Sequence, residues 1–293
     1  MVWISSAGLT GRMNEHPILV TGGTGKSGSR VVSMLRNKGV RVRVGSRSGE
    51  PPFDWTDRNT WDAALESVEK VYVVPFDGEV LTRPFVQRCQ ERGVRRLVLL
   101  SGRGIDVPGY AGENSAAGKT HVDGEAAVRA CRLEWTILRP AWFAQNFSEG
   151  FFLDAVRSGE LRLPASHGAV TFIDAEDIAA VAVTALTENG HAGMTYELSG
   201  PRAVTIAEAA ATISQATGRT VRYVPISPED FVAELVAQGW PQRAAEDYAD
   251  SVGPIRRGMD SHISDGVQRA LGHPPRDFSD FARNAAAAGS WPS

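Results

Sequence analysis

Cysteine is almost absent from this chain: Cys89 and Cys131 are the only two in 293 residues, and each falls in a helix-like segment. That excludes a disulfide-built scaffold and points to a reducing, cytoplasmic setting. No apolar run reaches the roughly eighteen residues a transmembrane helix needs, so no membrane partner is expected. An excess of charge is missing as well. Lys and Arg number 31 against 34 Asp and Glu, a net −3, which leaves no electrostatic footprint for nucleic acid or an anionic membrane. Zinc-type spacing is lacking: there is no H-E-x-x-H, and neither cysteine has a second ligand nearby, so no metal site is expected. Residues 1–16 show neither strand nor helix period and no signal-peptide core. They read as an N-terminal extension. Met13 would start the chain just ahead of the first strand, leaving residues 1–12 as a dispensable segment or an unstructured arm.

What is present is alternation. Apolar strand-like runs at Ile18–Thr21, Val40–Val44, Val71–Val74, Leu97–Leu100 and Trp135–Leu138 are separated by amphipathic helical segments, among them Lys26–Asn37, Arg83–Arg92 and Thr120–Cys131. A series of this kind predicts a parallel sheet covered on both faces. Right-handed crossovers make it doubly wound, an α/β Rossmann architecture. After Pro140 the order loosens. Phe143–Ser158 looks helical, Val170–Ile173 returns as a strand and Asp174–Leu186 as a long helix, with Asp174 and Asp177 suited to capping its positive end. Met194–Leu198 is strand-like, and amphipathic helices follow, among them Ile206–Thr217 and Pro228–Gln238. The expected division is a dinucleotide-binding Rossmann domain over 17–142, joined again by 168–190. A smaller, mostly helical substrate lobe would comprise 143–167 and 191–293.

The segment Thr21-Gly22-Gly23-Thr24-Gly25-Lys26-Ser27-Gly28 lies between a strand and a helix and satisfies G-x-G-x-x-G through Gly23, Gly25 and Gly28. It also satisfies the wider spacing through Gly22, Gly25 and Gly28. Such a turn brings bare backbone against a pyrophosphate, with the helix N-terminus supplying amide donors. A nucleotide-triphosphate P-loop would require glycine where Val20 stands, and is excluded. An NAD-preferring fold places a carboxylate about 20 residues beyond the glycines. Here the chain reads Val44-Gly45-Ser46-Arg47-Ser48, with no carboxylate and an arginine fit to clamp a 2′-phosphate. The expected cofactor is NADPH.

The Tyr-x-x-x-Lys proton donor of many short-chain dehydrogenases is missing; Tyr110, the best placed of five tyrosines, has Asn114 at the lysine position. The helix before Trp135 offers Lys119, His121 and Glu125 instead. His121 and Glu125 are four apart on one helix face, where they form either an acid–base pair or an ordinary helix-surface contact. Without a strong acid, hydride transfer is easiest to an iminium, which needs no proton, or to a quinone, which takes protons from solvent. A ketone is harder, because its alkoxide needs a donor.

The runs ILVTGGTGKSGSRVV, SRSGEPPFDW, LVLLSGRG, EWTILRPAWFAQNF and FIDAEDIAAVAVTAL, in this order, resemble the NmrA-like branch of atypical short-chain dehydrogenases. The resemblance runs from Ile18 to about Phe281. The SRSGEPPFDW stretch is similar to a subset that includes fungal ergot-alkaloid reductases, which reduce an iminium with NADPH. The resemblance implies that Gly22, Thr24, Gly25, Lys26 and Ser27 hold the pyrophosphate, and Ser46 and Arg47 the 2′-phosphate. It places Asp54, after a short third strand, near the adenine, with Pro75, Ser101 and Pro140 bordering the ribose and nicotinamide. Many relatives carry a lysine where His121 stands.

Trp142, Phe143, Gln145, Asn146 and Phe147 follow the strand that ends near the expected nicotinamide, and an aromatic pocket with two amides suits a planar substrate. Phe76, Tyr110 and Phe172 are further candidates. Three functions are compatible with these residues. The first is a reductase passing hydride from NADPH to a small planar iminium, quinone or enone. The second is a non-catalytic NADP(H) sensor, since the resembling family includes such regulators. The third, an isomerase or dehydratase, lacks the tyrosine it would use. Sheet-flanking helices of this fold also commonly support a homodimer.

Overall fold

The computed structural model describes residues 16–110 and 116–291; the proposed segment 1–12 and Asn114 lie outside them. The chain begins β1 (Ile18–Thr21), α1 (Lys26–Asn37), β2 (Val42–Gly45), α2 (Asn59–Leu65), β3 (Lys70–Val73), α3 (Thr82–Glu91), β4 (Arg96–Leu100), α4 (Ala116–Ala130) and β5 (Glu134–Pro140). There follow α5 (Asn146–Glu149), α6 (Leu153–Ser158), β6 (Glu160–Leu163), β7 (Ala169–Val170), α7 (Ala175–Thr187) and β8 (Met194–Leu198). The remainder comprises β9 (Val204–Thr205), α8 (Ile206–Thr217), β10 (Arg222–Pro225), α9 (Pro228–Ala237), α10 (Gln242–Arg256), α11 (Gly266–Leu271) and α12 (Phe278–Ala287).

Six strands form one parallel sheet in the order β2-β1-β3-β4-β5-β8. Alternate side chains feed opposite layers, as the period of two requires. In β4, Val98 and Leu100 enter the core under α1, α7 and α11, whereas Leu97 and Leu99 enter the one under α2, α3 and α4. The strand order reverses between β1 and β3, which opens a crevice at their carboxyl ends, the usual ligand position in such sheets.

Three expectations need correction. No strand forms around Phe53 and Asp54: Pro51 and Pro52 have no N–H to donate to a ladder, and Phe53 and Trp55 plug the core as part of an aromatic cluster with Trp61 and Phe85. The Phe143–Ser158 helix is broken into α5 and α6 at Gly150, whose backbone is extended. The domain division is also different. β8, assigned to the second lobe, pairs with β5 and completes the main sheet, and α11 packs against it from far along the chain.

The second lobe has a core of its own, built from Phe147, Phe152, Phe172, Phe231, Phe278 and Trp291 with α8, α10 and α12 around it. Its strands pair as β6 with β10, in parallel, and β7 with β9, antiparallel. None of the described helices is long and apolar enough to cross a membrane.

Candidate cofactor and substrate site

At the end of β1 the Thr21 hydroxyl accepts from Val74 N at 2.8 Å, which ties the ends of β1 and β3 together. The chain then turns, with Gly25 N donating to Gly22 O at 2.9 Å. Gly22 adopts φ +59°, and a Cβ on Gly28 would lie 2.2 Å from Gly22 O, so a side chain at Gly28 would collide with the turn. The helix α1 starts with no side-chain cap and no acidic residue in its first turn. Its free amides therefore face the turn with no acceptor among the described residues. This cradle fits a dinucleotide diphosphate. Thr24 and Gly25 are exposed on it and Lys26 is half-buried. The Ser27 hydroxyl is buried and accepts from Tyr72 Oη at 3.2 Å, so its side chain points into the core and only its backbone faces the turn.

Along the rim, Arg47 after β2 is exposed, and its guanidinium hydrogen-bonds no described residue. Ser46 lies beside it, with its hydroxyl 3.4 Å from that of Ser48. The Asp54 carboxylate accepts from both the amide (2.9 Å) and the hydroxyl (2.8 Å) of Thr56. Those bonds first, and Arg47 nearby, hold its carboxyl below the usual range. Pro75, Ser101 and Pro140 are buried at the ends of β3, β4 and β5, within the crevice wall.

The helix α4 delivers the three residues expected to do chemistry, and they part company. Lys119 is exposed. His121 turns toward the end of β4, where a Cβ on Gly102 would lie 4.0 Å from its Cδ2. Its Nδ1 is buried with no hydrogen-bond partner among the described residues. Burial pushes the imidazole pKa down, only partly offset by Asp77 and Glu125. Glu125 is not paired with His121. It accepts from Arg139 through both oxygens at 2.8 Å and from Arg129 at 2.9 Å, and Arg139 reaches on to Asp106. Burial would raise the carboxyl, but hydrogen bonds from Arg139 first, and from Arg129, hold it below its ordinary value. The expected acid–base pair is therefore a buried ion cluster joining α4 to β5. The four-residue spacing was correct, but sequence gave no sign of the arginine one strand away.

Tyr110 donates to Asp260, from the segment after α10, rather than to a lysine. Burial raises the pKa of both groups. Arg103, also buried, donates to Thr171 Oγ1 and His262 O at 2.8 Å and completes this inter-lobe contact. Asp260 lies in no motif, and although Arg103 and Arg139 fall in the LVLLSGRG and EWTILRPAWFAQNF runs, nothing in their spacing points to these contacts.

The predicted wall is only partly a wall. Trp142 is half-buried, stacked on Phe152 at 5.8 Å, and Phe143 bridges Ile173. Phe147 is fully buried among Phe152, Phe172 and Phe278, with Phe172 equally enclosed; both belong to the core. Gln145 is committed to α7: it donates to Asp174 at 2.7 Å and accepts from Ala175 N. Asp174 caps that helix as expected, accepting from Glu176 N, whereas Asp177 is fully buried and bound by Arg276. Asn146 accepts from Lys26 Nζ at 2.9 Å. Phe76 is 37% exposed at the mouth beside α4, with the Thr120 hydroxyl on its carbonyl.

A family model described as NAD(P)H-binding matches residues 22–189, from the glycine turn to the end of α7. The chain belongs to this NAD(P)H-binding family and is an NAD(P)H-dependent oxidoreductase. It is 33% identical to the NAD(P)H azoreductase of Xenophilus azovorans, over 92% of this chain and 98% of the other. It is 30% identical to the agroclavine dehydrogenase of Claviceps fusiformis, over 90% of this chain and 95% of the other. Among solved structures, the NADPH-dependent quinone oxidoreductase QOR2 of Escherichia coli complexed with NADPH superposes with a TM-score of 0.74. It is 24% identical, over 91% of this chain and 99% of the other.

Proposed function

We propose that the protein prefers NADPH and reduces a small planar organic acceptor of the iminium, quinone or enone type. The observation that carries this reading is His121: a half-buried imidazole at the crevice, with an unpartnered Nδ1 and a lowered pKa, in a site without a Tyr–Lys pair. At neutral pH such an imidazole is uncharged. It can orient a substrate but is a poor proton donor to a developing alkoxide. An iminium becomes a neutral amine without a proton, and a quinone is protonated by water, so both suit this site. Bound NADPH supplies the hydride. The protein's own residues do the rest. The glycine turn and the first amides of α1 hold the diphosphate, Arg47 and Ser46 receive the 2′-phosphate, and Trp142 and Phe143 flank the acceptor. The relatives named NAD(P)H azoreductase and agroclavine dehydrogenase support a small organic acceptor.

Titrating the purified protein with NADPH and NADH, then following absorbance at 340 nm with cyclic iminium ions, quinones and simple ketones, tests the reading. Tighter NADPH binding with oxidation by the first two classes is the expected result. Equal turnover of simple ketones would show a proton donor that the reading denies. Binding without oxidation by any acceptor would favour a cofactor sensor instead.

A further inference from the structure

Lys26 lies at the first position of α1, and its ammonium is held by the second lobe. Its Nζ donates to Asn146 Oδ1 at 2.9 Å and sits 5.2 Å from the centre of the Phe151 ring. Both partners are neutral. The carboxylate whose field acts on it, Glu149, is taken by Arg30, whose Nη2 lies 2.7 Å from Glu149 Oε1 and whose Nε lies 3.0 Å from Glu176. No ion pair to Lys26 is found among the described residues, so its positive charge is positioned but not cancelled. Burial disfavours this charge, and only the field of Glu149 opposes that effect. An ammonium held at such a cost beside a free helix N-terminus suits an anion.

We infer that Asn146 is a positioning residue for the cofactor: it holds the Lys26 ammonium over the glycine turn, where the ammonium meets the diphosphate. This rests on the cofactor reading of the turn. It replaces the expected role of Asn146 in the substrate wall. It also makes the Asn146–Phe151 segment, which adjoins Trp142 and Phe152, a mechanical link between cofactor and acceptor sites. Gly150 belongs to the device, because a Cβ there would lie 2.6 Å from Lys26 Nζ and push the ammonium aside.

The test is NADPH affinity of the apo protein, read by quenching of tryptophan fluorescence, for Lys26→Ala, Asn146→Ala, Asn146→Asp, Gly150→Ala and the Lys26→Ala/Asn146→Ala double variant. Each variant is checked for an unchanged circular dichroism spectrum. Lys26→Ala is expected to raise Kd about 10–100-fold, as for loss of a charge-assisted hydrogen bond. Asn146→Ala and Gly150→Ala should raise it about 3–10-fold, and the double variant should bind no more weakly than Lys26→Ala alone. Asn146→Asp keeps the contact but neutralises the ammonium, so it should bind more weakly than Asn146→Ala. A purely packing role for Asn146 would give the reverse order. If Lys26→Ala leaves Kd unchanged, the assignment of Lys26 to the diphosphate falls, and this inference with it. If Lys26→Ala weakens binding while Asn146→Ala and Gly150→Ala do not, or the two single effects multiply in the double variant, only the positioning role falls. Should Asn146→Ala fail to fold, Asn146→Asp and Gly150→Ala decide the matter by the same criteria.

Discussion

Replacing Glu125 by alanine separates a catalytic role from an architectural one. The side chain is 4% exposed and makes three hydrogen bonds, two to Arg139 and one to Arg129. Arg139 is itself only 8% exposed. Breaking a buried ion pair by removing one partner typically costs about 3–5 kcal/mol, because the other charge is left uncompensated. Here Arg139 keeps one carboxylate, Asp106 at 2.7 Å. The lower end of that range, about 3 kcal/mol, is therefore appropriate. At about 2 °C per kcal/mol for a chain of this size, the melting temperature should fall by roughly 6 °C. The assay is thermal unfolding by circular dichroism, with NADPH affinity measured on the same sample. Affinity should stay within about twofold, since the pair lies behind the crevice wall and not in the turn. The effect also carries a pH signature. Because the folded carboxyl is held below its ordinary value, its stabilisation is present above the unfolded value, about 4.3, and is lost as pH falls through the folded one. The gap in urea midpoint between wild type and Glu125→Ala should thus be constant near neutrality and narrow below about pH 4. An unchanged melting temperature combined with a large loss of turnover would refute the assignment and restore Glu125 to the chemistry.

Three further outcomes follow from the site. Arg47→Ala should raise the Kd of NADPH about 10–100-fold and leave NADH unaltered in a fluorescence titration; equal weakening of both would remove Arg47 from the 2′-phosphate. Gly28→Ala, whose Cβ would meet Gly22 O at 2.2 Å, should weaken both cofactors by about tenfold or more while circular dichroism stays unchanged. Phe147→Ala should destabilise by about 3–5 kcal/mol in urea unfolding but leave the acceptor KM of the folded protein unchanged, as expected of a core ring. A raised KM without loss of stability would return Phe147 to the substrate wall.

Much of this protein is determined by local pattern. The alternating runs of Leu97–Leu100 and Ile18–Val20, the crowded glycines Gly22 and Gly28 of the turn, and the Asp174 cap each depend on neighbours within a few residues. Period and backbone conformation suffice to specify them. The missing carboxylate beyond β2 and the missing Tyr–Lys pair are likewise visible in one dimension. Tertiary structure decided the partners. Whether Glu125 serves His121 or Arg139 depends on which strand α4 packs against, and one strand residue across the interface, Arg139, outweighs the favourable spacing on the helix. Lys26 meets Asn146 from 120 residues away, and Tyr110 meets Asp260 from 150 residues away. β8 joined the main sheet because β5 presented an open edge, although its own sequence reads the same in either lobe. Ring burial divided Trp142 from Phe147, two aromatic residues that look alike in sequence. Hydrophobicity specifies that such a side chain is covered, but only the packed chain determines whether the cover is core or substrate.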